Sequence, residues 1–279
     1  MITRRRLLWT GAASVVAGVG YPFLIEPRWL AKTQTAISLV RQPRATIRVL
    51  HLSDLHASWA VPLSLIDTAI DMGLASDPDF VCLTGDFITQ RSDFDAQAYI
   101  RTLTRLPAIR PTFASLGNHD GGPWGVSHGG YSDHQLVEGL LEDAGITLLL
   151  NRSVPVDTAK GKVTLVGLAD LWSLELDAHK AFRGVDGSGP VILMSHNPDS
   201  KEVLASFPWH LMLCGHTHGG QVIIPFEGPS YAPVADKRFV QGLHSWKGHQ
   251  IFISRGVGNI AGVRFMCRPE VSILDIAIA

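Results

Sequence analysis

Residues 47–56 read Ile-Arg-Val-Leu-His-Leu-Ser-Asp-Leu-His (IRVLHLSDLH), a short apolar, β-rich run that ends abruptly in Asp54 and His56. The same design recurs four times downstream. FVCLTGD (80–86) delivers Asp86, TFASLGNHD (112–120) delivers Asn118, His119 and Asp120, VILMSH (191–196) delivers His196, and LMLCGHTH (211–218) delivers His216 and His218. In each case polar, chemistry-bearing residues follow where a strand would end, the usual ligand edge of an α/β sheet.

Working outward, the first three runs are separated by stretches with apolar residues at helical spacing, 62–74 and 93–106, and a further helix is expected over 133–144 before an extended piece at 147–150. This βαβαβ order predicts a layered α/β domain. The second half is richer in strands, expected at 163–168, 191–195, 210–214, 221–224, 250–254 and 271–276. Residues 121–130 (GGPWGVSHGG) read as a glycine-rich loop following the 112–120 run, a candidate substrate lid or simply a long loop. Neither repeats nor a composition shift divide the chain, so 46–279 is expected to be one domain with two sheets.

The chain has 279 residues, 46% hydrophobic and 18% charged, enough for a sizeable core. Its 24 Lys+Arg against 25 Asp+Glu give a net charge of −1, and without the three arginines of residues 1–20 the remainder carries −4. No basic run follows the first six positions, so a nucleic-acid partner has no electrostatic support. Cys82, Cys214 and Cys267 are too few and too scattered for a disulfide framework and form no C-x-x-C pair. Cys82 and Cys214 sit inside apolar runs and are expected to act as small buried hydrophobes.

The amino terminus has its own logic. Thr3-Arg4-Arg5-Arg6-Leu7-Leu8 precedes a weakly apolar Gly/Ala-rich stretch, the pattern of a twin-arginine export signal. The 19 uncharged residues 7–25 are also near the length of a membrane anchor, and no clear cleavage site decides between the two. Either way arginines on the cytoplasmic side place the rest of the chain outside, in the periplasm or on the outer face of the inner membrane, with the twin-arginine machinery as an export partner. Residues 21–45, with three prolines, read as a connector.

Among 12 histidines, four or five gather with two aspartates and one asparagine at the predicted strand exits. Oxygen and imidazole donors without thiolate suit Mn, Fe, Zn or Ni. In Asp54-x-His56 and His216-x-His218 a two-residue spacing would put both side chains on one side of an extended backbone. Seven donors exceed one tetrahedral centre, so two divalent metals sharing a carboxylate are expected. His51, inside the first run, is expected to be a packed core residue. His128 and His134 read as solvated loop histidines, and His179, His210, His244 and His249 as structural ones.

The ordered series Asp54-Leu-His56, Gly85-Asp86, Gly117-Asn118-His119-Asp120, Ser195-His196 and Gly215-His216-Thr217-His218 resembles the calcineurin-like metallophosphoesterase superfamily over 46–279, and within it the exported bacterial phosphodiesterases. The resemblance implies a four-layer α/β/β/α sandwich with a two-metal site at the strand carboxyl ends. It also implies that Asp54, His56, Asp86 and His218 hold one metal and Asp86, Asn118, His196 and His216 the other, with Asp86 bridging. It further implies attack on a phosphate ester by a metal-bridging water or hydroxide, with His119 stabilising the phosphate or protonating the leaving alkoxide and Asp120 orienting it. Thr89 departs from relatives that carry Asp, Asn or a metal-binding Tyr there. Arg255 and Arg264 are candidates to pair with a second phosphate substituent.

The activity expected on these grounds is a metal-dependent phosphodiesterase acting on a small-molecule or lipid phosphoester. The alternatives are a lipid-linked pyrophosphatase of the UDP-2,3-diacylglucosamine kind, a phosphomonoesterase, and a non-catalytic metal-binding scaffold. The export signal argues against the first, because UDP-sugars are cytosolic, and the intact ligand motifs argue against the last.

Overall fold

The structure is a computed structural model describing residues 20–91 and 94–279. Its strands, in chain order, are β1 (Ala31–Ser38), β2 (Ala45–Leu52), β3 (Phe80–Thr84), β4 (Thr112–Ser115), β5 (Thr147–Leu148), β6 (Arg152–Thr158), β7 (Gly161–Gly167), β8 (Val191–Met194), β9 (Leu211–Cys214), β10 (Ile223–Ile224), β11 (Gly228–Pro229), β12 (Gly242–Trp246), β13 (His249–Ile253) and β14 (Glu270–Ile278). Its α-helices are α1 (Leu63–Leu74), α2 (Ala96–Thr104), α3 (Gly122–Ser127), α4 (Gln135–Asp143) and α5 (Ala178–Ala181).

Two six-stranded sheets form, ordered β1-β14-β2-β3-β4-β5 and β12-β13-β9-β8-β7-β6, with β10 and β11 as a separate small hairpin. In the first sheet β2 to β5 run parallel; in the second β7, β8, β9 and β13 do. The run of β3 is almost continuously apolar because both its faces are covered, and β2 is covered likewise from Val49 onward, with Arg48 at its half-exposed start. Ile47, Val49, Phe80 and Cys82 face the second sheet, meeting Leu165, Ile192, Met194, Leu211 and Leu213. Leu50, Leu52, Val81 and Leu83 face the helices. The helices answer with stripes at helical spacing: Leu65, Ile66, Ala69 and Ile70 on α1, Tyr99 and Leu103 on α2, Val137, Leu140 and Leu141 on α4. The α2 amino end is capped by Asp95, whose carboxylate accepts from the Ala98 N–H at 2.9 Å.

The layers are therefore helix, sheet, sheet, and a thinner outer layer in which α5, a 3₁₀ turn at Pro198–Lys201 and the 232–240 loop cover Val166, Leu193 and Met212. Two expectations are corrected. Residues 21–45 are not simply a connector: 31–38 form β1, paired in parallel with β14 from Ala31 opposite Glu270. Residues 121–130 are not all loop, since 122–127 form α3. Residues 1–19, with the export-signal reading, lie outside the described residues. Among the described ones, no helix is long and apolar enough to cross a membrane.

His51 is a polar residue beside the inter-sheet core. It is buried, its Nε2 is 2.7 Å from Thr84 Oγ1, and its ring stands edge-on to Phe252. Burial pushes its pKa down to about 3. The unfolded chain takes up a proton near 6.5 while the folded one refuses it, so the stability His51 contributes is present above pH 6.5 and lost on acidification towards 3. Relative to a His51→Gln variant, the wild-type stability advantage should shrink by about 1.4 kcal/mol per pH unit below 6.5 in denaturant titrations. A gap that stays constant from pH 7.5 to 5 would contradict this.

Candidate metal centre

Asp54 and His56 follow β2, Asp86 follows β3, Asn118 follows β4, His196 follows β8, and His216 and His218 follow β9. All seven converge where the two sheets' strand ends meet, and all are buried. The backbone there is not extended, contrary to the two-residue spacing argument. Asp54, His56, Asp86, His216 and His218 have φ of 52°, 48°, 56°, 69° and 51°, the left-handed region that costs non-glycine residues energy. Between-strand hydrogen bonding continues into this irregular zone: Asp54 N–H donates to Gly85 O, His56 N–H to Asp86 O, and Gly215 N–H to His196 O. Those bonds, rather than strand alternation, aim the side chains inward.

His56 Nε2 lies 3.1 Å from His218 Nε2 and 3.4 Å from Asp86 Oδ2, and His218 Nε2 is 3.4 Å from Asp54 Oδ1. His196 Nε2 is 3.1 Å from Asp86 Oδ2 and 4.0 Å from Asp54 Oδ1. His216 Nδ1 lies 2.8 Å from Asn118 Oδ1. Donor atoms of Asp54, His56 and His218, of Asp54, Asp86 and His196, and of His56, Asp86 and His119 each gather within 4.8 Å. Asp54, His56 and Asp86 each belong to two of these groups, so the three groups interlock into one continuous cluster of donors.

Burial pushes the imidazoles of His56 and His216 down to about 3 and that of His218 well below its ordinary value, so all three present neutral lone pairs. Burial also raises Asp54 to about 6, opposed by His196. For Asp86 burial works in the same upward direction, but the imidazoles of His196, His119 and His56 outweigh it and hold the carboxyl well below the usual range. His196 shows the converse: burial disfavours its charge, yet Asp86 and Asp54 raise it well above normal. Two lone-pair imidazoles 3.1 Å apart and facing carboxylates have no good hydrogen-bond solution among themselves, and His196 Nε2 has no aligned partner. A divalent cation would satisfy these donors at once, so the residues fit the metals expected of them.

The rings are fixed from behind. His196 Nδ1 donates to Thr84 O at 2.7 Å, which leaves Nε2 for the site. Thr89 Oγ1 lies 3.3 Å from His56 Nδ1, and the Thr89 carbonyl accepts from His119 Nδ1, directing His119 Nε2 the other way. Thr89 thus positions two imidazoles, a role absent from the sequence reading. Asp120 does not orient His119. Its carboxylate accepts from the backbone N–H groups of Asp86, Phe87 and Gly117, tying the loop that carries Asn118 to the loop that carries Asp86. Asp170 was also missed: buried after β7, it accepts from Trp172 N–H with one oxygen, while its charge acts on His196.

Other expectations change too. Arg264 is wholly buried and donates to the carbonyls of Arg255, Gly258, His218 and Cys267, and Arg255 pairs with Glu270 at 3.0 Å. Neither arginine is placed as a phosphate clamp. His134 is buried against Glu175 rather than solvated. His128 is exposed and stacks on Trp124 at 3.8 Å. Cys82 and Cys214 are buried, and burial raises both thiols far from the thiolate form.

With this geometry in place, comparison with known proteins is informative. The family model for calcineurin-like phosphoesterases matches residues 47–220. The chain belongs to the calcineurin-like phosphoesterase family. It is 40% identical to phosphodiesterase YaeI of Escherichia coli, covering 99% of this chain and 100% of that one. It is 30% identical to the uncharacterized metallophosphoesterase YkuE of Bacillus subtilis, over 96% and 93%, and 25% identical to the UDP-2,3-diacylglucosamine pyrophosphatase LpxG of Chlamydia muridarum, over 82% and 83%. As a phosphoesterase of this family, the chain is a hydrolase of phosphoric ester bonds.

Two adjoining cavities open over this phosphoesterase centre. One, about 270 Å³, is bordered by Asp86, Asn118 and His119 on its floor and by Trp124, His128 and Trp172 on its wall. The other, about 240 Å³, overlaps it at His216, His218, Tyr231, Pro233 and Ile260 and runs on past Gln221 and Val222. The α3 segment supplies Trp124 and His128, so the glycine-rich stretch walls the site whether or not it moves.

Close backbone approach makes one glycine decisive. A Cβ on Gly215 would overlap Ser53 Oγ and Asp54 Oδ2. Gly215→Ala should displace Asp54 and weaken metal binding about 10- to 100-fold, as loss of an orienting contact does. Elemental analysis after dialysis, with circular dichroism as the folding check, tests this; wild-type metal content in a folded variant would count against the placement.

Proposed function

We propose that this chain is an exported phosphodiesterase that uses two divalent metals, drawn from Mn, Zn, Fe and Ni. Asp54, His56, Asp86 and His218 would hold one, and Asp86, Asn118, His196 and His216 the other. When bound, the metals supply Lewis-acid chemistry that acidifies water and neutralises phosphate charge. Export rests on the Arg4-Arg5-Arg6 start and the uncharged stretch after it.

The observation that carries a diester reading is a pair of overlapping cavities that share His216, His218, Tyr231, Pro233 and Ile260 and diverge from there, one past Trp124 and Trp172 and the other past Gln221 and Val222. A phosphodiester places one substituent on each side of phosphorus, and each cavity takes one. The relative YaeI is named a phosphodiesterase, which agrees. The described residues lining either cavity include no lysine or arginine, so the second phosphate of a pyrophosphate meets no side-chain cation there. That weighs against the activity named for LpxG.

His119 is the candidate proton donor to the leaving oxygen. It sits on the floor of the cavity lined by Trp124, its Nδ1 committed to the Thr89 carbonyl and Nε2 remaining. The indole of Trp124, 4.6 Å from the ring, holds it edge-on and excludes water from one side. Asp86 Oδ1 accepts the His119 backbone N–H at 2.9 Å, so the imidazole is registered to the bridging carboxylate.

The test is a His119→Gln variant compared with wild type on aryl and alkyl diesters. Turnover of an alkyl diester should fall about 10²- to 10⁴-fold, and that of bis(p-nitrophenyl) phosphate much less, since p-nitrophenolate leaves without a proton. Metal content should match wild type. Equal losses on both substrates, or lost metal, would remove the acid role. On wild-type protein, diester turnover should exceed that of the matching monoester; the reverse would make the chain a phosphomonoesterase.

A further inference from the structure

We propose that the cavity beside His216 and His218 is a subsite for the acyl chain of a lipid phosphodiester, entered from an apolar lip that rests on a bilayer. The inference deepens the phosphodiesterase reading and rests on it.

The cavity begins at two candidate metal ligands and leads outward between Val222, Tyr231 and Ile260, with no acidic or basic side chain along it other than those histidines; of its other polar members, Thr217 spends its hydroxyl on Val240 O and Gln221 its amide on the Ile260 backbone, and Ser230 lies at the outer end. A headgroup of sugars or nucleotides would leave its polar groups unmatched there, whereas a hydrocarbon chain loses nothing by leaving water. At the outer end the apolar surface continues into solvent. Ile224, Tyr231 and Ile260 are exposed, and Phe226 is completely so. Phe226 occupies the β10–β11 turn in the left-handed region at φ 71°, the turn being closed by Glu227 N–H donating to Ile224 O. An aromatic ring held out at a strained hairpin tip, in contact with solvent alone, marks a docking feature.

The same short segment that holds this hairpin also holds the chain's amino-terminal portion. Phe265 O accepts from Ile223 N–H at 2.9 Å, and next to it Arg264 N–H donates to Pro22 O at 2.8 Å. Glu26, buried, accepts from the N–H groups of Met266 and Cys267, clamping residues 21–28 to this segment. From that clamp Phe23, Leu24 and Ile25 are exposed, and Met266 with them. They end the stretch 7–25, which carries no charge and follows three arginines, the composition of a bilayer-seeking segment. Hairpin tip and amino-terminal segment thus share one anchor, and the apolar cavity opens beside it. A lipid surface accounts for all three features: the uncharged stretch, the exposed tip, and a cavity that runs from the reacting centre to Val222 and Ser230 at the base of that hairpin.

The test uses the full metal-loaded chain and two soluble probes as competitive inhibitors of bis(p-nitrophenyl) phosphate hydrolysis: dihexanoylphosphatidylglycerol below its micelle concentration, and its deacylated counterpart glycerophosphoglycerol. The acylated probe should inhibit at least tenfold more tightly, the effect of burying about two methylene groups. Val222→Asn, which borders this cavity and not the one walled by Trp124, and Tyr231→Ser at the exposed lip should bring the ratio towards one. Equal inhibition by the two probes, or a ratio untouched by both variants, overturns the subsite and leaves a protein partner as the occupant of the lip. If the loaded chain hydrolyses no diester at all, the phosphodiesterase reading fails separately. Calorimetric titration of the same two probes then still decides whether the cavity takes an acyl chain.

Discussion

The site depends on how closely two strand ends from different sheets approach each other. At the end of β9, Gly215 lies against Ser53 and Asp54 at the end of β2, leaving no room for a side chain. The next residue, His216, donates its backbone N–H to the Asp54 carboxylate at 3.0 Å. On the neighbouring pair, His196 after β8 donates its ring N–H to Thr84 O at the end of β3. These contacts couple sheet packing to ligand placement. The inter-sheet core of Val49, Cys82, Met194 and Leu213 sets the spacing of the sheets, and that spacing sets which donors face each other.

Burial then defines what the cluster can be. Water would stabilise either a charged imidazole or a charged carboxylate, and its exclusion leaves three histidines neutral while Asp86 keeps its charge only through the imidazoles around it. A group of lone pairs facing carboxylates without enough protons to bridge them is poorly satisfied by protein alone. Cations complete it. The left-handed backbone at five of these positions carries further strain, sustained by the packed strands behind it.

Much of this was legible because buried parallel strands and their exits have a sharp signature. The runs ending in Asp54, Asp86, Asn118, His196 and His216 are predominantly apolar, and the switch to metal-binding residue types is abrupt. What escaped were sheet edges. β1, β6 and β12 are half-exposed, so they tolerate the polar residues of AKTQTAIS and RSVPVDT, and Pro155 is admitted because an edge strand need not donate on both sides. Partner choice was hidden for a different reason. That Asp120 serves backbone N–H groups, Arg264 serves carbonyls and Thr89 serves two imidazoles depends on loops meeting in space, which spacing along the chain does not encode.

Catalytic chemistry and substrate choice are carried by separate parts of this fold. The strand exits hold the donors, while the α3 segment and the residues flanking the β10–β11 hairpin, Val222, Ser230 and Tyr231, wall the two cavities above them. Loops can vary without disturbing the inter-sheet contacts, which lets one centre serve different esters. The central claim is that the seven buried donors are completed by two divalent cations that enable diester hydrolysis. Elemental analysis of the full chain, run alongside bis(p-nitrophenyl) phosphate turnover before and after chelation, tests it most directly. The account predicts about two metals per chain and turnover that disappears with chelator and returns on reloading. One metal or none after reloading, with no turnover, would contradict it.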